Sequence, residues 1–555
     1  MSLPEPETIR RPAINPQESK PRAARLAFGL LLTITSAAVL TACSQTASET
    51  SRHDFFRVSL ATTFASPVSG RLLLFLAPSS AHGDDEKPVD IDMMSPARVY
   101  VAAKEVAHLA PGDSVDIDAD DIAFPQPFSR APAGSYRLQA VLDVHHSYNY
   151  DGRSAGDLLS APLTLSTPLN AAAVPVLTLN QLIPEPPDPL AGRSDVNTAL
   201  KPLDIISPVL TSFWGREIRM RGWVLLPPGY AAHPGEHYPT VYFTHGFGGT
   251  LPGLRERFAP VLYDRMKQGR MPEMIWVLLD ESSPTGTHEF ADSVNNGPWG
   301  TALTTELIPS IETKYRMDAR TSGRFLQGHS SGGWATLWLQ TRYPKIFGGT
   351  WSTSPDPSDF HFFSTIDLYA AHANMYRALD GTRHPMIREH GVPRTTMEEL
   401  AGLEAVIGPY GGQLASFEWV FSPRGADGRP SPLFDRTTGD IDPVVAAYWQ
   451  THYDIVQGLQ LNWKTIGPDL KGKIHLFVGT DDTFYLDGAA HSLQATLERL
   501  GGNGQFTFLP GRSHFNLYNV GDDRYGLFDR IASEMYRVAR PKAGTPGLSP
   551  GRSHP

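Results

Sequence analysis

Residues 324–333 read Arg324-Phe325-Leu326-Gln327-Gly328-His329-Ser330-Ser331-Gly332-Gly333. A strand-like apolar run enters Gly-x-Ser-x-Gly, and a helical pattern follows at once over 333–342. That context puts Ser330 on a sharp strand-to-helix turn, which presents its hydroxyl above the end of a sheet. The turn is crowded, so the flanking Gly328 and Gly332 matter: a Cβ has no room there. Gly-x-Ser-x-Gly alone also builds plain turns. The strand before it and the helix after it make Ser330 the candidate nucleophile.

A serine hydroxyl is a poor nucleophile until an imidazole takes its proton, and a buried carboxylate then fixes the tautomer of that imidazole. The partners are expected later in the chain, acid first and histidine second. Lys473–Val478 reads as a short apolar strand and runs into Gly479-Thr480-Asp481-Asp482. Gln505–Leu509 reads as another and runs into Pro510-Gly511-Arg512-Ser513-His514. His514 is therefore the candidate base, and the acid is Asp481 or Asp482. Upstream, the strand Tyr238–Thr244 ends in His245-Gly246-Phe247-Gly248-Gly249. A His-Gly loop there supplies one backbone N–H of an oxyanion hole, from Phe247, and the N–H of Ser331 supplies the other.

Taken together, the segment from about 217 to 540 resembles the putative-esterase group of α/β-hydrolases. That group includes enterochelin esterases, S-formylglutathione hydrolase, feruloyl esterases and the mycolyltransferases. The resemblance rests on His245–Gly249, Gly328–Gly333, Gly479–Asp482 and Ser513-His514. It implies a serine hydrolase that needs no cofactor. In such enzymes the acid stands three residues after the strand-end glycine, which selects Asp482 over Asp481. Asp359, past the preceding strand, is the reserve. His245, His329 and Trp299 are candidates for lining the substrate pocket, Trp299 because Asp292–Trp299 reads as a loop at the carboxyl side of a strand.

The chain has 555 residues, too many for one ordinary core. With 48 Lys and Arg against 58 Asp and Glu, the formal net charge is −10, and no basic block occurs in the body of the chain. Nucleic acid is thereby excluded as an expected partner. Arg22 and Arg25 precede an uncharged run from Leu26 to Ala42, which ends in Leu40-Thr41-Ala42-Cys43. This reads as a secretory signal, and the ending resembles a bacterial lipobox. Cys43 is the single cysteine of the sequence, so it is the lipidation candidate and there are no internal disulfides. The expected location is the bacterial cell envelope, lipid-anchored, with simple secretion as the alternative.

The expected organisation is a lipoprotein signal over 1–43, a tether over 44–52 and a β-sandwich-like domain over 53–180. A Pro-rich linker at 181–205 follows, then an α/β-hydrolase domain over 206–541 and a disordered tail over 542–555. Alternating strand and helix patterns in the hydrolase part predict a mostly parallel central sheet covered on both faces. About 115 residues separate the strand at 347–352 from the acid strand, too long for a simple link. An inserted lid is expected within 356–460. No metal is expected. Asp116-Ile117-Asp118-Ala119-Asp120 begins like a calcium loop, but Asp121 and Pro127 stand where that loop needs Gly and Glu. His145 and His146 are neighbours in an expected strand and so point to opposite faces.

The function expected is carboxylic ester hydrolysis on a small-molecule, glycan or lipid ester. An acyltransferase on the same triad is the nearest alternative. A catalytically inactive lipoprotein that binds a glycan or protein is the third, although an intact Ser, His and Asp set argues against it.

Overall fold

Ile275–Leu279 is apolar throughout and buried throughout, as a strand covered on both faces must be. It lies inside an eight-stranded sheet. The spatial order is Leu200–Ile206, Arg219–Leu225, Ile275–Leu279, Thr240–Thr244, Arg324–His329, Gly349–Thr353, Ile474–Gly479 and Gln505–Leu509. The first two pairings are antiparallel and the remaining five are parallel. Helix Ser331–Arg342 covers one face of the sheet, with Trp334, Leu337 and Leu339 fully buried. Helix Gly526–Ala539 covers the other through an apolar stripe of Leu527, Phe528, Ile531, Ala532 and Met535. This is the expected α/β-hydrolase architecture. Its parallel strands send their carboxyl ends to one edge, where such sheets place their sites.

The computed structural model describes residues 53–79, 88–170, 173–408 and 411–542. The signal with its lipobox cysteine Cys43, the tether over 44–52 and the tail from 543 onward lie outside the described residues. Among the described residues no helix is long and apolar enough to cross a membrane.

The strands between Phe55 and Leu182 bond into one nine-stranded sheet rather than two separate ones. Phe56 and Val58 near one end share a core with Leu72, Leu74 and Leu138 from its middle, so the sheet folds over on itself. The layers are sandwich-like although the hydrogen bonding is continuous. Asp116, Asp118 and Asp120 serve locally: they bind Arg57, His53 and the amides of Asp54 and Ser129. His145 and His146 lie past the end of strand Gly134–Asp143, in a turn where His146 has φ of 55°. They are not strand neighbours, and His146 pairs with Glu105 at 2.6 Å.

The stretch expected as a linker is largely structured. Ser194–Ala199 is a helix and Leu200–Ile206 is the edge strand of the hydrolase sheet, antiparallel to Arg219–Leu225. The hydrolase part therefore begins before residue 206. The insertion carries a hairpin (Pro385–Glu389 with Val392–Thr396) and the helices Met397–Ile407, Gln413–Phe421, Pro443–His452 and Ile455–Leu470. Phe360, Phe363, Phe421 and Trp449 of the insertion share a buried core with Trp334 and Trp338 of helix Ser331–Arg342. Helix Met397–Ile407 has a complete capping box, Thr396 with Glu399, and runs toward the first domain.

Candidate active site

Ser330 follows strand Arg324–His329 directly and precedes helix Ser331–Arg342. Its backbone is at φ 61° and ψ −126°, strained for a residue with a Cβ. The surrounding glycines show why the turn closes. A Cβ on Gly328 would lie 2.2 Å from the Gly332 carbonyl oxygen, and one on Gly332 would lie 2.4 Å from the carbonyl oxygens of Thr244 and His245. The strand end carrying the His-Gly loop is thus in backbone contact with the first turn of the helix.

His514 and Asp482 meet, although 32 residues separate them. Asp482 Oδ2 lies 3.0 Å from His514 Nδ1, and both residues are buried. Asp482 Oδ1 accepts from the Phe484 amide at 3.0 Å. Burial works against the Asp482 charge, but His514 and that amide outweigh it and hold the carboxyl below its usual range. Phe484 stands edge-on to the His514 ring at 4.9 Å and His329 lies against it at 4.4 Å, so the imidazole is bracketed. Asp481 turns away and accepts from the Gly391 amide at 2.8 Å. Asp359 is also turned away: it binds His361 and Ser492. It cannot serve as the reserve acid without moving.

The carboxylate beside the nucleophile is Asp356, which sequence reasoning missed. Its Oδ2 accepts from Ser331 Oγ at 2.6 Å, and its Oδ1 lies 3.5 Å from Ser330 Oγ. Burial pushes this carboxyl up to about 6. The Ser330 contact is long for a hydroxyl bond, so it leaves the hydroxyl only loosely held. Catalytic hydrogen bonds commonly tighten only when substrate arrives. A signal existed, since Ser354-Pro355-Asp356 follows the strand after the nucleophile. Nothing local separated Asp356 from Asp359.

The amides of Phe247 and Ser331 have no hydrogen-bond partner among the described residues. They stand on either side of the Gly246–Ser330 contact, where a Cβ on Gly246 would touch Ser330 Cβ at 2.9 Å. His245, a candidate pocket residue, instead braces this loop. Its Nδ1 lies 2.8 Å from the Gly246 carbonyl, and its Nε2 accepts from the Glu281 amide at 3.0 Å. Burial opposes its protonation, but Asp280 and Glu281 overcome that and raise its pKa. Glu281 itself is buried and pushed up to about 8, chiefly by desolvation. Trp299, the other pocket candidate from sequence, is not at the site. Its ring stacks on His288 at 3.7 Å and its Nε1 donates to the Asn296 carbonyl. His329 does reach the pocket, with its imidazole pushed down to about 3 by burial.

Ser330, His514, Phe247 and His329 line one cavity of about 660 Å³. A larger cleft of about 950 Å³ lies on the far side of Tyr150 and Gly248, but neither Ser330 nor His514 lines it. The smaller cavity is therefore the one in which a group can meet the serine.

This geometry can be set beside known proteins. Over 140 residues the chain is 27% identical to the uncharacterized protein YbbA of Bacillus subtilis (strain 168), covering 23% of this chain and 54% of that protein. The chain thus spans about half the length of that curated relative. Among solved structures, a ferulic acid esterase from Anaeromyces mucronatus is 16% identical, with 60% of this chain and 89% of that chain covered and a TM-score of 0.32. A fluorophosphonate-binding serine hydrolase from Staphylococcus aureus is 13% identical, covering 61% and 98%, with a TM-score of 0.36. An S-formylglutathione hydrolase from Agrobacterium tumefaciens is 12% identical, covering 61% and 94%, with a TM-score of 0.34. Residues 215–510, over half of the chain, match the family model described as "Putative esterase". Residues 215–510 thus place the chain in that family, and the chain belongs to it.

Proposed function

We propose that this esterase hydrolyses carboxylic esters through an acyl-enzyme, with Ser330 as nucleophile, His514 as general base and then general acid, and Asp482 as the residue that orients His514. Ser330 Oγ attacks the ester carbonyl carbon as His514 Nε2 takes its proton. The carbonyl oxygen becomes an oxyanion held by the N–H groups of Phe247 and Ser331. The tetrahedral intermediate collapses, the alcohol leaves with the proton from His514, and an acyl-Ser330 remains. Water then enters, gives its proton to His514 and releases the carboxylic acid, restoring the Ser330 hydroxyl.

The observation that carries this reading is the Asp482–His514 contact at 3.0 Å, in a cavity that Ser330 also lines. With Nδ1–H engaged by Asp482, the lone pair is on Nε2, the tautomer a base requires. The test is labelling by a fluorophosphonate probe. Wild type is expected to label at Ser330, and Ser330→Ala is expected to lose both labelling and at least about 10⁴-fold of its esterase kcat while keeping its melting temperature. Labelling at another serine, or full activity in the variant, would overturn the assignment. We also propose that Cys43 carries a lipid anchor in the bacterial cell envelope; the support is the sequence Leu40-Thr41-Ala42-Cys43.

A further inference from the structure

We infer that the N-terminal β-domain is a working part of this active site: it supplies one wall of the substrate cavity, and that wall selects esters whose group beside it is bulky, apolar and uncharged. The inference rests on the proposed role of Ser330.

The β-domain is built into the hydrolase rather than tethered to it. Leu73, Phe75 and Val101 share a core with Leu403, Val406 and Ile407 of the insertion helix Met397–Ile407. The buried Arg71 donates through Nε and Nη2 to the Val406 carbonyl at 2.8 and 2.7 Å, at the end of that helix where a cation is favoured. Asn149 Nδ2 donates to the Gly411 carbonyl at 2.8 Å, and Thr395 Oγ1 to the Met93 carbonyl at 2.7 Å.

This packing carries Ile91, Met93, Tyr148 and Tyr150 to the cavity that contains Ser330. Tyr150 touches the reacting part most directly. Its ring lies 5.1 Å from that of Phe247, whose N–H is assigned to the oxyanion, and its carbonyl oxygen lies 3.0 Å from where a Gly248 Cβ would stand. Leu400, Leu403 and Ile407 of the insertion line the cavity too, as do Phe484 and Phe515 from the loops that hold the acid and the base. Phe515 is 72% exposed beside His514, an aromatic face left open at the mouth. A largely apolar ester group would cover it.

Charge gives the second half of the argument. No Lys or Arg side chain lines this cavity among the described residues; its acidic side chains are Asp90 and Glu404, the latter pushed up to about 7 by burial. Asp90 is held by Arg153 and Tyr148, and Glu404 by the amides of Gln413 and Leu414. A substrate carboxylate or phosphate there would lose its water, face two acids and find no lysine or arginine on the lining, Arg153 being engaged by Asp90.

The test compares p-nitrophenyl esters on the full chain. Wild type is expected to prefer the octanoate to the acetate in kcat/KM, and the butyrate to the equally long, anionic hemisuccinate by at least about 10-fold. Tyr150→Ala is expected to lower the octanoate-to-acetate ratio by about 10-fold, and Tyr150→Phe to restore it. Met93 is 41% exposed, so Met93→Lys spares the core while placing a cation at the wall. It is expected to raise hemisuccinate relative to butyrate by about 10-fold. If both ratios stay at wild-type values in folded Tyr150→Ala and Met93→Lys, or if wild type takes the hemisuccinate as well as the butyrate, the inference is overturned. Fluorophosphonate labelling of wild type separates the two claims. An unlabelled Ser330 sinks the catalytic reading beneath it, whereas a labelled Ser330 with unmoved ratios sinks the wall alone.

Discussion

Replacing Asp482 by Asn tests the catalytic assignment at the atom on which it depends. In the resting enzyme the carboxylate fixes the tautomer of His514. As Ser330 loses its proton the imidazole becomes cationic. At 3.0 Å and an effective dielectric of about 20, carboxylate and imidazolium attract by about 5.5 kcal/mol. This attraction arises only as charge develops, so it lowers the barrier rather than tightening ground-state binding. It corresponds to about 10⁴ in rate. Asn removes the charge, and its amide group can also turn the ring to the wrong tautomer, leaving Nε2 protonated and unable to accept from Ser330.

The expected result is a fall in kcat of about 10³–10⁴ for Asp482→Asn, with KM for p-nitrophenyl acetate little changed. Asp481→Asn and Asp359→Asn are expected to stay within about 10-fold of wild type, because both side chains are bonded elsewhere. Stability gives an independent check. The folded-state pKa of Asp482 is depressed, so its contribution is present above the ordinary carboxylate pKa and is lost as pH falls through the folded value. The acid side of the wild-type stability profile should therefore flatten in the variant. A kcat within 10-fold of wild type for Asp482→Asn, together with a collapse at Asp359→Asn, would refute the reasoning.

Three further outcomes are expected. Gly332→Ala puts a Cβ 2.4 Å from two backbone carbonyl oxygens, and should cost about 3 kcal/mol in urea denaturation; an unchanged midpoint would show that the elbow tolerates a Cβ. Glu281 has a folded pKa raised to about 8 by burial, so its contribution is fully present below its unfolded value near 4.5 and is lost as pH rises toward 8; Glu281→Gln should shrink the drop in melting temperature between pH 5 and pH 9, and an identical drop would count against the raised pKa. Wild type expressed in a bacterial host should incorporate labelled palmitate and Cys43→Ser should not; an unlabelled wild type cleaved before another residue would leave a secreted esterase.

The parts of the site that sequence made legible are those with local causes. Ser330 is readable because its turn excludes Cβ atoms at Gly328 and Gly332, a demand written within five residues. His514 and the Asp482 region are readable because each ends an apolar strand and the chain order is fixed. What sequence did not reveal depends on contacts between distant segments. Trp299 reads as a pocket aromatic until His288 is seen stacked against it. Asp356 and Asp359 both follow the same strand, and only the fold turns one toward Ser331 and the other toward Ser492. The prolines of 181–205 read as a linker, and its last residues pair as a strand only because Arg219–Leu225 offers them an edge.

The same distinction runs through the function. The reacting groups stand at strand ends of one sheet, held there by parallel pairing and short loops. The cavity around them is assembled from Tyr150, Leu403 and Phe515, which come from three separate stretches of chain. A wall composed in this way can change residue by residue without disturbing the elbow, because no wall side chain bonds to Ser330, His514 or Asp482 among the described residues. Its coupling to the chemistry passes through ring contacts, Tyr150 on Phe247 and Phe484 and Phe515 on His514. A substitution that alters selectivity alone should therefore sit away from these contacts, and one that alters selectivity and turnover together should sit at one of them.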